Sequence, residues 1–259
     1  MSVSAKIWPG LVLLVGLTGC STLTDGQRMC LADGERALRE KQYSRAIERM
    51  STFLEQVRNP PEVARAYYVR GMARALSGQR AWAYADLQRA VTETRDPQVT
   101  WQPHAMLGVL CFEDDNWDAA ARAFKAAVDK MPAGPPQDAL LFRLGLCAER
   151  MGRWSAATAQ YRLILQRFPR GVYAAAAARR TQLGADHFAV QCGVFSRAEN
   201  ADQLVARLRA EGLQVYSRPE PRQDGSSYVV LEGRYASYQE ANQALGRVRG
   251  YIPDAVLWP

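Results

Sequence analysis

The sequence has few of the residues and motifs on which catalysis and nucleic-acid binding depend. Two histidines occur among 259 residues, and no HExxH, GxSxG or phosphate-binding glycine motif is present. The net charge of +7 is not gathered into a dense lysine or arginine run, which argues against nucleic acid as a partner. We therefore expect no enzyme and no cofactor. We also expect no metal, because no zinc-site spacing relates Cys30, Cys111, Cys147 and Cys192.

The apolar run near the N-terminus is too short to cross a membrane. Ile7 to Gly19 is 13 residues long, whereas a spanning helix needs about 20. Lys6 before this run and small residues at its end predict a secretory signal peptide at residues 1–19. The end of the run, Leu17-Thr18-Gly19-Cys20, resembles the lipobox of bacterial lipoproteins.

The lipobox resemblance implies that Cys20 carries fatty acids such as palmitate and that residues 20–27 form a lipidated tether. Several acyl chains would anchor the protein stably, since each buried methylene contributes about 0.8 kcal/mol. Ser21 after the cysteine implies the periplasmic face of the outer membrane, in a Gram-negative host. A plain secreted protein with a fortuitous cysteine is the alternative.

A repeat of 37 residues follows the tether. Glycines, alanines and large side chains each recur at this step, and turn residues such as Asp96-Pro97 separate the units. Apolar residues at helical spacing within each unit predict two amphipathic helices, with the small residues where the helices cross closely. The recurring positions are Gly34, Gly71, Gly108 and Gly145, then Ala46, Ala83, Ala120 and Ala157, then Met50, Leu87, Phe124 and Tyr161.

These units are similar to tetratricopeptide repeats, most clearly in the third unit with Leu107-Gly108, Trp117, Ala120 and Phe124. The resemblance implies an all-α solenoid at residues 28–183, closed by a capping helix and able to bind a partner protein in an inner groove. The alternative is that the groove residues pack within the solenoid or against the next domain. They are Tyr68, Met72, Leu76, Val109, Phe112, Phe142, Leu146 and Arg150.

After Gly184 the pattern changes to a small α+β domain. Alternation from Phe188 predicts a strand, and two Ser-x-x-Glu capping boxes, at Ser196 and Ser237, predict two helices. A polar turn is expected at residues 219–226, between the second and third strands. The result is a βαββαβ fold of the ferredoxin or RNP type, with both helices on one sheet face and the other face open. Eight arginines and nine acidic residues in 186–259 give no bulk attraction for polyanions.

Residues 186–259 resemble the SPOR domain, through Val190-Gln191, Gly193, Phe195, Tyr228, Gly233 and Tyr235. The resemblance implies binding of peptidoglycan glycan strands that lack stem peptides and concentrate at division septa. Val194 and Val229 depart from the family, which often has a small polar residue and an arginine there, so a domain without sugar binding is the alternative. The implied glycan-binding residues are Gln191, Gly193, Phe195, Tyr228 and Arg234.

Together these signals predict a lipid-anchored envelope protein that holds glycan with its last domain and recruits proteins with its repeats, in cell division or envelope maintenance. The alternative is a scaffold for outer-membrane assembly or secretion. In that case the repeat groove carries the function, and the SPOR-like domain is a passive docking module.

Overall fold

The computed structural model describes residues 23–58, 60–93, 97–222 and 225–259. The predicted signal peptide and the predicted acylation site at Cys20 lie outside the described residues. The chain forms two compact units that divide between Leu144 and Gly145, whereas the sequence places its domain boundary after residue 183. Within the described part of the chain, none of the helices combines the length and the apolar character that a membrane crossing requires.

The first nine helices follow the predicted plan of four helical pairs and a closing helix. Each pair consists of consecutive helices joined by a turn of three residues. The fold class is therefore an all-α solenoid followed by an α+β domain. The helices are α1 (Asp25–Arg39), α2 (Tyr43–Gln56), α3 (Pro60–Leu76), α4 (Arg80–Thr92), α5 (Pro97–Glu113), α6 (Trp117–Lys130), α7 (Gln137–Arg150), α8 (Trp154–Arg167) and α9 (Ala174–Leu183).

Each repeat glycine lies against the large side chain that follows it by 16 residues. A Cβ built on Gly108 would stand 2.5 Å from Cδ1 of Phe124, and one on Gly71 would stand 3.0 Å from Cγ of Leu87. The same contact joins Gly34 to Met50 and Gly145 to Tyr161. The bulky partners and the four repeat alanines are at most 2% exposed. Because glycine has no Cβ at this position of each unit, the two helices of a pair can approach closely.

The C-terminal domain has the predicted order of strands and helices. Its elements are β1 (Phe188–Phe195), α10 (Ala198–Ala210), β2 (Val215–Arg222), β3 (Gly225–Tyr235), α11 (Tyr238–Val248) and β4 (Val256–Trp258). The four strands are antiparallel and lie in the order β2-β3-β1-β4. Both helices cover one face, where Val190, Val205, Val230, Leu208 and Val248 form the core.

Two local predictions in this domain are wrong. Ser196 does not cap α10, because the helix begins one residue later and its N-cap is Arg197, without a side-chain cap. At the second site Ser237 and Glu240 do form the predicted capping box. The turn expected at 219–226 is occupied by strand pairing, which continues to Arg222 opposite Gly225. Pro219 tolerates this position because β2 is an edge strand, where a missing N–H need not be paired.

The two halves of the domain repeat at an interval of 40 residues. Gly193 is followed by Phe195 and Gly233 by Tyr235, and in both halves the ring lies where a glycine Cβ would be. A β-bulge in the β1–β3 ladder accompanies each glycine. Likewise Arg209 Nε donates to Val215 O at 3.0 Å, and Arg249 Nε donates to Ala255 O at 3.3 Å. The halves are thus structural copies that differ in particular side chains.

We expect Gly108→Ala to lower the free energy of unfolding by about 1–3 kcal/mol, since the added methyl overlaps the ring of Phe124. Chemical denaturation of the two proteins measures the difference. The control is Gly26→Ala in α1, whose Cβ meets nothing within 4 Å and which should cause no loss. Equal stability of Gly108→Ala and wild type would show that the close helix crossing is not required.

Candidate functional site

The candidate site is the sheet face that points away from α10 and α11. Strand alternation places Gln191 on this face together with Val229 and Leu231, as the sequence predicts. Phe188 points to the other side, where it is 1% exposed and lies between Trp154 and Tyr238. The predicted parity of these strand residues is therefore correct, but parity does not show which segments cover the face.

Trp258, the penultimate residue, lies over this face. Its Nε1 donates a hydrogen bond to Glu220 Oε1 at 3.0 Å, and the guanidinium of Arg218 lies 5.0 Å from its ring centroid. The ring of His187 packs against the indole with centroids 5.4 Å apart. The indole is 4% exposed. A hydrogen bond, a cation–π contact and a ring contact thus hold the indole in place.

The end of α9 and the segment after it complete this cover. Leu183 and Ala185 pack against the cluster of Ala189, Val229 and Leu231, and Arg218 Nη2 donates to Leu183 O at 3.1 Å. Val229 and Leu231 are consequently 1% and 0% exposed. The prediction of an open sheet face is wrong for these positions, because alternation identifies a face but not the distant segments that pack on it.

A polar cluster borders the cover. A hydrogen bond of 2.9 Å joins Nε2 of His187 to the Tyr216 hydroxyl, and Nδ1 of His187 bonds to Asp186. This bond from His187 lowers the pKa of the Asp186 carboxyl, with Arg234 contributing less. Arg234 Nη2 lies 3.2 Å from the same carboxylate. The predicted glycan ligand Arg234 is therefore exposed but already paired with Asp186.

A half-exposed part of the face remains beyond the indole, and we call it the β1–β4 strip. It consists of Gln191 and Val194 of β1 and Val256 of β4, which pairs with Gln191. Among the residues that the structure describes, no hydrogen bond of the Gln191 side chain is found. Its amide can both donate to and accept from sugar hydroxyls.

The other predicted glycan residues lie on the helix side of the sheet. Phe195 and Tyr228 face each other across β1 and β3 and pack against the domain core. Gly193 is also on that side, since the bulge at Cys192 breaks the alternation between Gln191 and Gly193. The five predicted residues are therefore not brought together on one surface. Their sugar-binding roles stay predictions. No pattern in the sequence indicates the bulge at Cys192, which places Gly193 on the helix side.

The predicted partner-groove residues are mostly packed. Tyr68, Met72, Phe142 and Leu146 are 2–9% exposed, which supports the packing alternative for them. Arg150 lies with its guanidinium 4.0 Å from the ring centroid of Tyr238. Half-buried positions remain at Leu76, Val109 and Phe112. For these three residues a partner-binding role stays a prediction.

The described residues contain no cluster of metal-binding side chains. No group of three or more His, Cys, Asp or Glu side chains there could hold a metal ion. His104 is half-buried in α5, and burial lowers the pKa of its imidazole. Cys30, Cys111, Cys147 and Cys192 form no disulfide within the described residues.

Residues 145–259 thus contain a small two-layer α+β module of the binding type, with two helices on one face of an antiparallel sheet. Residues 184–258 match the SPOR domain family, so the chain carries a SPOR domain. SPOR domains are peptidoglycan-binding modules and not catalysts, which indicates a protein of the cell envelope. No curated protein matches the chain.

We expect Trp258→Ala to lower the free energy of unfolding by about 3–5 kcal/mol, because it removes a buried indole and uncovers Val229 and Leu231. Denaturant titration of the full chain is the measurement. Tyr251→Ala serves as the matched control. Tyr251 is 48% exposed, so its loss should change the free energy of unfolding by no more than about 0.5 kcal/mol. Similar values for both variants would mean that the indole is not part of the core.

Proposed function

We propose that this protein binds peptidoglycan glycan strands that lack stem peptides, through the β1–β4 strip of its SPOR domain. The observation that carries the proposal is the free amide of Gln191 beside half-exposed Val194 and Val256, on a domain of a glycan-binding family. Apolar side chains can contact the C–H face of a sugar while the amide bonds its hydroxyls.

The other parts of the chain give the glycan-binding domain its context. We propose that Cys20 is acylated and holds the protein on the periplasmic face of the outer membrane, and that the tetratricopeptide-like repeats recruit an envelope protein. The glycine contacts at the 37-residue step support the repeat assignment. A role in cell division follows if the glycan is septal, since strands without stem peptides concentrate there.

A second candidate function is a scaffold for outer-membrane assembly or secretion. The covered sheet face favours it, because Trp258 and Leu183 occupy much of the surface that a glycan would otherwise contact. In that case the repeats carry the activity and the SPOR domain only docks to another protein.

The glycan-binding proposal is tested by retention of the full chain on sacculi treated with amidase. We expect Gln191→Ala to weaken binding roughly fivefold, the effect of about 1 kcal/mol from lost hydrogen bonds. Gln243→Ala on the exposed side of α11 is the matched control and should bind like wild type. Equal binding of the two variants would exclude the β1–β4 strip as the site.

Imaging of fluorescent fusions in dividing cells separates the two functions. We expect a septal band for the full chain and a uniform peripheral signal after deletion of residues 184–258, because that segment is the glycan-binding module. An unchanged band after the deletion would favour the scaffold function. Deletion of residues 28–144 is the companion variant; it keeps the compact unit of residues 145–259 and should leave septal recruitment in place.

A further inference from the structure

An open depression on a second surface of the SPOR domain combines apolar and polar side chains. A depression of about 450 Å³ lies beside α10 and is lined by Phe195, Asn200, Gln203, Leu204 and Arg207. Phe195 and Leu204 are half-buried and form the apolar part, whereas the two amides and the guanidinium are exposed. This volume falls in the range of small-molecule sites.

The internal duplication shows why a space exists there. In the second half Tyr235 replaces Phe195 and its hydroxyl donates to Glu232 at 2.8 Å. Burial and that hydrogen bond raise the pKa of Tyr235 to about 12, and Arg247, the counterpart of Arg207, opposes the rise. Arg247 therefore belongs to a side-chain network with Tyr235 and Glu232.

The first half lacks the side chains that could pair with its arginine, Arg207. Phe195 has no hydroxyl, and Cys192 stands where the second half has Glu232. Among the residues that the structure describes, no hydrogen bond or ion pair of Arg207 is found. Four other arginines of the domain are already engaged by carbonyls or carboxylates, namely Arg209, Arg218, Arg234 and Arg249.

We propose that this pocket binds the carboxylate-bearing amino sugar of the glycan, and this rests on the proposed function. The guanidinium of Arg207 can take a carboxylate in a bidentate pair. The amides of Asn200 and Gln203 can bond hydroxyl and N-acetyl groups. The ring of Phe195 offers an apolar surface to the sugar face. The domain is near neutral in formal charge, so individual arginines must supply the recognition of an anionic sugar.

The carboxylate of that sugar is free only where the stem peptide has been removed. Occupation of the pocket therefore discriminates stripped strands from intact ones. The side chains of the β1–β4 strip carry no charge, so in this proposal the strip binds the strand and Arg207 adds the selectivity for free carboxylates.

The test measures binding of the full chain to soluble glycan oligosaccharides in two forms, one with free carboxylates and one with the carboxylates converted to methyl amides. We expect wild type to bind the acid form at least about tenfold more tightly, as a charge-assisted bidentate pair implies. Arg207→Gln should abolish this preference. Arg247→Gln, 40 residues later, is the matched control and should keep it. Thermal unfolding of each variant checks that the fold is intact.

A second variant tests the apolar part of the pocket. Phe195→Leu keeps an apolar side chain but removes the ring, and we expect it to weaken binding of both oligosaccharide forms several-fold. If wild type shows no preference, or if Arg207→Gln keeps it, the pocket proposal is wrong while glycan binding stands. If wild type binds neither form, the proposed function fails and the pocket proposal fails with it.

Discussion

Both faces of the four-stranded sheet are apolar, and each must be covered in water. The helices α10 and α11 cover one face around Val190 and Val230. The other face carries Ala189, Val229 and Leu231, which are fully buried under Trp258 and the end of α9. Antiparallel sheets often leave one face solvated, and this one does not. Any ligand must therefore use the half-exposed β1–β4 strip or the sides of the helices.

This constraint gives Trp258 a structural role in the candidate site. Its indole shields the apolar strands while its N–H bonds Glu220 and its ring carries the Arg218 contact. Because these groups are satisfied within the chain, they are not available for a sugar without rearrangement. Within the described part of the chain, the side chains of Gln191 and Arg207 have no internal hydrogen-bond partner and lie outside the cover. The proposed binding functions rest on these two residues for that reason.

In both internal duplications a glycine makes room for a bulky side chain. In the repeats a glycine admits a bulky side chain from the second helix of its pair, as between Gly108 and Phe124. In the SPOR domain Gly193 and Gly233 admit the ring two residues later. Close packing makes such positions intolerant of a Cβ. Outside these contacts the copies are free to diverge, as the exchange of Tyr235 for Phe195 illustrates.

The amino-acid sequence by itself determined the order of elements, the pairing of helices at a step of 37 and the strand parity of Gln191, Val229 and Leu231. These features depend on side-chain periodicity along a short segment, which can be read locally. The tertiary structure alone decided which surfaces stay exposed. The bulge at Cys192 moved Gly193 to the helix side, and Trp258 bonded to Glu220, 38 residues away, closed the face. Tyr68 and Met72 became core in the same way. Contacts between distant segments leave no periodic signal, so burial on a face could not be predicted from its pattern.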